Sequence, residues 1–421
     1  MVLQFLRLVN LPSKDSSTFL LQTAGVRYRL RERASGRPFT LDLLSTVHLA
    51  EPAYYSGLQE ACDEYDRVLF EIIADGELAP RSDDDGARRL SVALQATPEQ
   101  RALAARHRLS AQMDALDAKR DNWVVADMPR EELLEVQSRL NPSVSLAEPV
   151  SDALRVLAKG PASRGRGGAG SLLFRLVLCV LPAPEAALLL DDWIASGGAP
   201  LAPVLSALTR ALVSLDLPTA QRLSFAQTLV SGEATQWGGA AAELVRARNG
   251  RALEEVEAAV AGGCERLCLL YGALHMRDLR ARLDQGPFEV VGVDDPEWRT
   301  AWTIPVGGGS GAGADAGADA SAAGAQGSIA PPVGTLLLAT AGLLLVDGSD
   351  WVETVRTLIH IVLEGDGSIF TDAAELVAVV GLYLLRHGAL YLALARWAFE
   401  WERRWFLFGA ESLDGDEKLA D

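Results

Sequence analysis

Residues 39–73, FTLDLLSTVHLAEPAYYSGLQEACDEYDRVLFEII, carry the pattern that decides the fold. Two apolar, strand-like runs, residues 39–44 and 68–73, flank a segment with helical spacing at residues 52–65. A strand, a helix and a second strand of buried character, in this order, are typical of a parallel βαβ unit. The sequence therefore predicts an α/β fold built on a small, mainly parallel sheet.

Two shorter runs precede this unit. Residues 18–22 and 26–31 are apolar or β-branched, Gly25 separates them, and the turn Ser35-Gly36-Arg37-Pro38 follows the second run. Glycine and proline at such points are typical of turns between strands. We therefore predict an N-terminal β-hairpin.

The chain beyond residue 73 alternates between helical and strand-like patterns. Residues 97–120 predict a long helix with Thr97 as its N-cap and Pro98 at its first position. Residues 123–127 predict a short strand, and residues 131–262 predict a large helical insertion. After the insertion the pattern predicts a strand at 266–271, a helix at 276–283 and a final strand at 288–293.

Composition divides the chain into four segments. Residues 306–329 are rich in Gly, Ala, Ser and Asp and have too little apolar surface to order themselves, so they are expected to form a flexible linker. The segments are an α/β domain at 1–305, this linker at 306–329, an apolar helical tail at 330–408 and an acidic terminus at 409–421.

Charge and cysteine content exclude several classes of protein. The 421 residues include 39 Lys and Arg against 56 Asp and Glu, a net charge of -17, so binding of nucleic acid through general phosphate attraction is not expected. Four cysteines are too few for a disulfide scaffold. The N-terminus shows no secretory signal, which favours an intracellular location, with an organelle membrane as one alternative.

The apolar tail raises the question of a membrane. Residues 376–395 are long enough to span a bilayer, although Arg386 and His387 lie near their middle. Three tryptophans then repeat every four residues, as in an interfacial belt: Trp397, Trp401 and Trp405. The tail therefore predicts membrane association. The alternative is a soluble helical hairpin that packs on the main domain.

Three polar residues lie at or near the carboxyl ends of predicted strands, where α/β sheets place their ligands. His48 could bind a metal or move a proton, or it could be a structural histidine at a strand–helix junction. Glu71 lies in an apolar run, where a carboxylate must be paired, ligating or in reach of solvent. Asp127 ends its strand and could act in a site or cap the helix that follows Pro129.

A second histidine, His275, follows Gly272 just after a predicted strand, where glycine allows a tight turn. Two histidines and one or two carboxylates at neighbouring strand ends are typical ligands of a divalent metal ion with an open position for water. Such an ion makes water a nucleophile near neutral pH. The residues alone thus predict a divalent metal of unknown identity.

The order of these motifs resembles the TraB/PrgY/GumN/Tiki family, which belongs with erythromycin esterases and ChaN-like proteins. Its two GxxH motifs, strand glutamate and helical Arg-Asn pair have counterparts over residues 18–295. They are Ser45–His48, Glu71, Arg248-Asn249 and Gly272–His275, and Asp127 matches an aspartate that ends a strand. Ser45 departs from the family glycine, Ala247 stands where a glutamate is common, and Met128 replaces an arginine after the aspartate.

The resemblance implies a metal-dependent hydrolase, with a peptidase among the options and an unknown protein or peptide as substrate. His48, Glu71 and His275 are the expected metal ligands. Glu71, Arg248 and Asp127 are the expected catalytic residues, with Arg248 stabilising negative charge that develops on a carbonyl oxygen. The alternative function is a non-catalytic, membrane-associated scaffold or regulator with the same fold.

Overall fold

The computed structural model describes residues 4–13, 16–73, 81–82, 86–140, 201–234, 239–286, 288–307, 333–364 and 373–390, with shorter stretches between 174 and 194. The described strands are β1 (Leu6–Pro12), β2 (Ser17–Glu32), β3 (Pro38–Thr46), β4 (Leu49–Ala50), β5 (Arg67–Phe70), β6 (Arg81–Ser82), β7 (Arg88–Arg89), β8 (Ser110–Ala111), β9 (Trp123–Val125), β10 (Arg266–Gly272), β11 (Phe288–Val293) and β12 (Glu297–Val306). The longer described helices are α1 (Pro52–Cys62), α2 (Pro98–His107), α3 (Gln112–Ala115), α4 (Arg130–Leu140), α5 (Leu201–Val213), α6 (Leu217–Ala234), α7 (Gly239–Ala261), α8 (Ala273–Leu283), α9 (Val333–Glu364) and α10 (Ala373–Leu390).

The predicted α/β fold class is confirmed. Strands β3, β10, β5 and β9 lie side by side in that order and all run parallel, and they form the centre of the main sheet. Strand β10 enters between β3 and β5, so the βαβ unit predicted from residues 39–73 is completed by a strand more than 190 residues later. The long β2 pairs antiparallel with β3 and with β1, β11 and β12. The sheet thus has eight strands and is larger than expected.

The predicted break at Gly25 is wrong, because β2 runs through it without a turn. Gly25 pairs with Leu44 of β3 and with Glu297 of β12, so strands flank it on both sides. A Cβ atom at this position would lie 2.7 Å from the Leu44 side chain. Glycine is therefore required by the close packing of neighbours, and the hairpin turn occurs only at residues 33–37, where it was also expected.

The helix predicted at 97–120 is shorter than expected. Its start is confirmed, because Thr97 and Gln100 form a reciprocal capping box and Pro98 occupies the first turn. The helix ends at His107, since Arg108 adopts a left-handed conformation with φ of 54°. A short strand and a one-turn helix, β8 and α3, take up part of the remainder.

The strand predicted to be the last is followed by another. After β11 the chain forms β12, which pairs with β2 from Gly25 down to Ser17 and buries Ala301 and Trp302. The strand β1 was also missed. Strands β1 and β12 therefore add to the antiparallel part of the sheet around β2, where sequence analysis predicted no such strands. The last described strand, β12, ends at Val306.

The predicted helical insertion is mainly helical where the structure describes it, with turns or bends at 180–182 and 214–215. Helices α4, α5, α6 and α7 lie within residues 130–261. Most of the segment 141–200 and the predicted linker 306–329, apart from residues 306 and 307, lie outside the described residues.

The chain divides into two compact units. The first contains the sheet, helices α1 to α8 and the candidate site. It has two apolar clusters. One contains Trp302, Tyr55 and Phe70, and the other contains Val124, Leu269 and Tyr271. The second unit contains helical residues between 174 and 191 together with α9 and α10. The tail is therefore helical at 333–364 and 373–390, whereas the predicted tryptophan belt lies outside the described residues.

Candidate active site

Three adjacent parallel strands bring the predicted site residues to one edge of the sheet. Glu71 follows the last residue of β5, Asp127 lies two residues after β9, and His275 lies in the first turn of α8, directly after β10. Because β10, β5 and β9 are neighbours and run parallel, their carboxyl ends meet. Residues up to 204 positions apart in the chain thus become close in space.

Arg248 of α7 joins the two carboxylates. Its Nη2 donates to Glu71 Oε1 at 2.7 Å and to Asp127 Oδ2 at 2.5 Å, and its Nε donates to Asp127 Oδ1 at 3.0 Å. Asp127 is wholly buried, and the Arg248 and Glu71 side chains are only 14% and 15% exposed. Asp127 Oδ1 also accepts the backbone N–H of Met128. The guanidinium is therefore shared between two carboxylates.

Glu71 has two further partners, one at the end of β10 and one at the start of α8. Its Oε2 accepts the backbone N–H of Gly272 at 2.8 Å, and its Oε1 lies 3.2 Å from Nε2 of His275. A Cβ atom on Gly272 would lie 3.3 Å from Oε2, and the φ of Gly272 is an ordinary −57°. Glycine here serves the close approach of the carboxylate to the backbone, and no unusual turn is needed.

The charges of this cluster compensate one another. Burial by itself raises the pKa of Glu71, but the charges of His275 and Arg248 and the hydrogen bond from His275 outweigh burial and hold the pKa well below its usual value. Burial lowers the pKa of Arg248, but Glu71 and Asp127 raise it above its usual value. Glu71 is therefore a carboxylate and Arg248 a cation throughout the neutral range.

His48 lies beside this cluster, two residues after β3. Its side chain is exposed to solvent, and desolvation by the surrounding protein lowers its pKa. The positive charges of Arg248 and His275 lower the pKa further, and the Glu71 charge and a hydrogen bond with the Gln112 side chain oppose them. The backbone N–H of Gln112 also donates to the His48 carbonyl at 2.9 Å. His48 is thus neutral near pH 7 and open to a substrate.

Sequence analysis missed several residues that hold this site together. Asn249, noted only as part of the Arg-Asn pair, is wholly buried and lies 2.6 Å from Nδ1 of His275. Its amide also donates to Asp278, one helical turn after His275. Arg88 donates to the Asp127 carbonyl at 2.6 Å and lies 3.5 Å from Glu255. Only Asp278 had a usable signal, because a residue three positions after a candidate histidine shares its helical face.

The described arrangement does not present a ready metal site. Among the residues that the structure describes, no three His, Cys, Asp or Glu side chains are placed to hold one ion. His48, Glu71 and His275 supply suitable donor types, but both oxygens of Glu71 are already engaged, one of them by the Arg248 cation. The metal expected at these residues stays a prediction.

The tail places its polar residues in pairs. In the second unit, Arg386 of α10 donates to both oxygens of Asp350 on α9, at 2.6 Å and 3.1 Å, and His387 lies 2.8 Å from Asp347. Asp347 and His387 are buried. Within the described part of the chain, α10 is the one helix long and apolar enough to cross a membrane, and only 11% of it is buried.

Comparison with known proteins leaves the family open. No family model matches the chain, and no curated protein or solved structure matches it either. The resemblance to the TraB/PrgY/GumN/Tiki family therefore stays a prediction that depends on the motifs alone.

Proposed function

We propose that this protein is a hydrolase of esters or amides, with its active centre in the cleft at the carboxyl ends of β5, β9 and β10. The observation that carries the proposal is the buried chain Asp127–Arg248–Glu71–His275, with the exposed His48 beside it. Buried ion pairs are expensive to desolvate and contribute little net stability. Clusters of ionisable groups with shifted pKa values in a cleft are typical of active sites.

His48 supplies the base. Its lowered pKa leaves it neutral near pH 7, so a ring nitrogen is available to accept a proton from water. Its exposure places it where both water and a substrate carbonyl have access. The proposed proton acceptor, His48, is thus exposed, whereas the carboxylates of Glu71 and Asp127 are buried.

His275 supplies the acid. Its Nδ1 faces the Asn249 oxygen and its Nε2 faces the Glu71 carboxylate, and both of these partners are acceptors. A ring that serves both acceptors carries a hydrogen on each nitrogen, and Glu71 is then its counter-ion. A cationic imidazole can donate the Nε2 proton to a leaving group.

The resulting step balances with one water molecule. His48 takes a proton as the water oxygen attacks the carbonyl carbon, and the bond to the leaving oxygen or nitrogen breaks as His275 donates its proton there. The products are an acid and an alcohol or amine. Proton exchange with solvent then returns His48 to the neutral form and His275 to the cationic form. Arg248, already shared by two carboxylates, orders Glu71; its predicted stabilisation of a carbonyl oxygen stays a prediction.

Two probe substrates test this function: p-nitrophenyl acetate for ester hydrolysis and fluorescein-labelled casein for peptide hydrolysis. The full-length protein should hydrolyse at least one of them, and His48→Ala and His275→Ala should each lower kcat by about 10²–10⁴-fold. His360→Ala is the matched control, because His360 is an exposed histidine of the tail. No hydrolysis above background, or unchanged rates in both variants, would contradict the proposal.

Elemental analysis tests the metal-dependent form of the same hydrolase, with His48, Glu71 and His275 as ligands. Since Arg248, His275 and Gly272 occupy the Glu71 oxygens, we expect less than one bound ion per chain and hydrolysis that survives a chelator. One ion per chain that is lost in His48→Ala and His275→Ala would instead establish the metal site predicted from the sequence.

The second candidate function is a membrane-associated scaffold without turnover. The apolar helix α10 favours it, because an 18-residue apolar helix that is mostly exposed is unusual in a soluble core. Ser45 stands where the family that the motifs resemble has a glycine, and this departure also favours a scaffold without turnover. Membrane association together with absent hydrolysis would favour this candidate over the hydrolase.

A further inference from the structure

The side chain of Asn249 makes three contacts in a site where it is wholly buried. Its Nδ2 donates to the His275 carbonyl at 3.2 Å and to Asp278 Oδ2 at 2.9 Å, and its Oδ1 lies 2.6 Å from His275 Nδ1. A buried amide with every group satisfied is held in one orientation, since an unpaired polar atom would cost about 1–3 kcal/mol.

The partners of Asn249 determine which way its amide faces. A carbonyl and a carboxylate can only accept, so the NH₂ group must face His275 O and Asp278. The amide oxygen then faces Nδ1 of the ring, and that nitrogen must carry a hydrogen. A flipped amide would place its oxygen against the Asp278 carboxylate and its NH₂ against a ring N–H.

Asp278 is itself fixed. Its Oδ2 accepts from Arg282 Nε at 2.7 Å, one turn further along α8. Arg282, Asp278, Asn249 and His275 therefore form a continuous chain from the surface of α8 to the cleft. Arg248, the preceding residue on α7, orders the two carboxylates, so consecutive residues of one helix hold the acid and its counter-ion.

We propose that Asn249 is a positioning residue that keeps the hydrogen on His275 Nδ1, so that Nε2, which faces Glu71, is the nitrogen that gives up its proton, with Asp278 holding the amide in the required orientation. This inference rests on the proposed function, in which Nε2 gives its proton to the leaving group. Without Asn249, the Glu71 carboxylate would be the stronger acceptor near the ring. A neutral ring would then keep its hydrogen on Nε2 and leave Nδ1 bare.

The test is ¹⁵N nuclear magnetic resonance of the full-length protein labelled at its five histidines. In the wild type, neutral His275 should carry its hydrogen on Nδ1. Asn249→Ala should move the hydrogen to Nε2, whereas the exchange Asn249→Asp with Asp278→Asn, which keeps an acceptor facing Nδ1 and moves the amide donor to position 278, should retain it on Nδ1. The same tautomer in wild type and Asn249→Ala would overturn the inference.

Activity on p-nitrophenyl acetate or labelled casein supplies the second readout. Partners that orient a functional histidine are typically worth about 10–100-fold, so Asn249→Ala should lower kcat by that factor with KM nearly unchanged, and the exchange Asn249→Asp with Asp278→Asn should recover part of it. Asn122→Ala, which removes a partly buried amide at the amino end of β9, is the control for a purely structural loss. Wild-type hydrolysis that Asn249→Ala leaves unchanged would reject the positioning role alone. A wild type without hydrolysis would reject the proposed function, while the tautomer measurement still decides the orientation.

Discussion

At the residue scale, Arg248 is the cation that allows the two carboxylates of the candidate site to lie close together. The two carboxylates, one of them wholly buried, both accept hydrogen bonds from its guanidinium, and this positive charge offsets the repulsion between them. Lysine could not replace it, because the geometry uses both Nε and Nη2 of a planar fork. Glu71 and Asp127, which were predicted at strand ends, can therefore lie close together because α7, a helix of the insertion, places Arg248 between them.

Loss of Arg248 should destabilise the protein strongly. Arg248→Met leaves Asp127 and Glu71 buried without their cation, and breaking such a pair costs about 3–5 kcal/mol. Arg246→Met is the matched control on the same helix, since Arg246 forms an exposed pair with Glu243 that is worth at most about 1 kcal/mol. Chemical denaturation measures both free energies of unfolding. Equal losses in the two variants would show that the network carries no special stability.

The lowered pKa of Glu71 has a consequence for acid stability. A carboxylate whose pKa is lower in the folded state than its ordinary 4.5 stabilises the fold fully above pH 4.5, and this contribution is lost as pH falls through the folded-state value. The free energy of unfolding should therefore fall more steeply below pH 4.5 in the wild type than in Glu71→Gln. The exposed Glu243→Gln serves as the comparison and should follow the wild type. Parallel curves for Glu71→Gln and the wild type would mean that Glu71 titrates normally.

At the element scale, sequence patterns predicted which segments are strands but could not predict their neighbours. The apolar run of residues 266–271 gave a strand, yet nothing local places β10 between β3 and β5. The position of β10 depends on pairing between residues far apart in the chain, whereas hydrophobic periodicity indicates only which face of a strand is buried. The convergence of Glu71, Asp127 and His275 was predictable because all three follow parallel strands. Asn249 and Arg88 were not, since helix packing and a short loop strand bring them in.

Two local errors have equally specific causes. Gly25 resembles a turn in sequence because glycine is common in turns, but here two flanking strands require the absence of a side chain. The strand β12 contains Pro305, which argues against a central strand, and β12 indeed pairs on β2 alone among the described strands. Proline at such an edge is tolerated because its missing N–H faces away from the sheet.

The pair of helices α9 and α10 gives a test of the predicted membrane association. The ion pair of Arg386 with Asp350 would be worth less than about 1 kcal/mol in water, because the Arg386 side chain is 47% exposed. In hydrocarbon an unpaired arginine costs about 2.5–3.5 kcal/mol on insertion scales, so the same pair becomes essential. Arg386→Asp should therefore release the protein from membranes on alkaline carbonate extraction, and the exchange Asp350→Arg with Arg386→Asp should restore retention.

The outcome of that exchange separates the two interpretations of the tail. A soluble wild type, or single variants that are retained as well as the wild type, would favour a tail that packs in water. The exposed Arg356→Asp on α9 is a control for added negative charge in general, and it should leave retention unchanged.

At the scale of the whole molecule, the two compact units do not follow the sequence boundary at residue 305. The first unit closes its sheet with β12, whose last pair joins Val306 to Ser17. The second unit combines the tail with helical residues between 174 and 191, which sequence analysis assigned to the insertion of the α/β domain. Tyr383 of α10 donates to the carbonyl of Val180, a contact within the second unit that links chain segments about 200 residues apart.

A chain ending at Gly307 should therefore fold only in part. The sheet, α7 and the candidate site belong to the first unit, so cooperative thermal unfolding should persist and the proposed hydrolase activity should remain. Residues 174–191 lose α9 and α10 and should become the preferred site of limited proteolysis, since segments without tertiary partners are cut first. Mass spectrometry of the fragments locates the cuts. Resistance of this segment in the truncated chain would show that it is stabilised by the α/β domain, and loss of cooperative unfolding would show that the tail is required for the sheet itself.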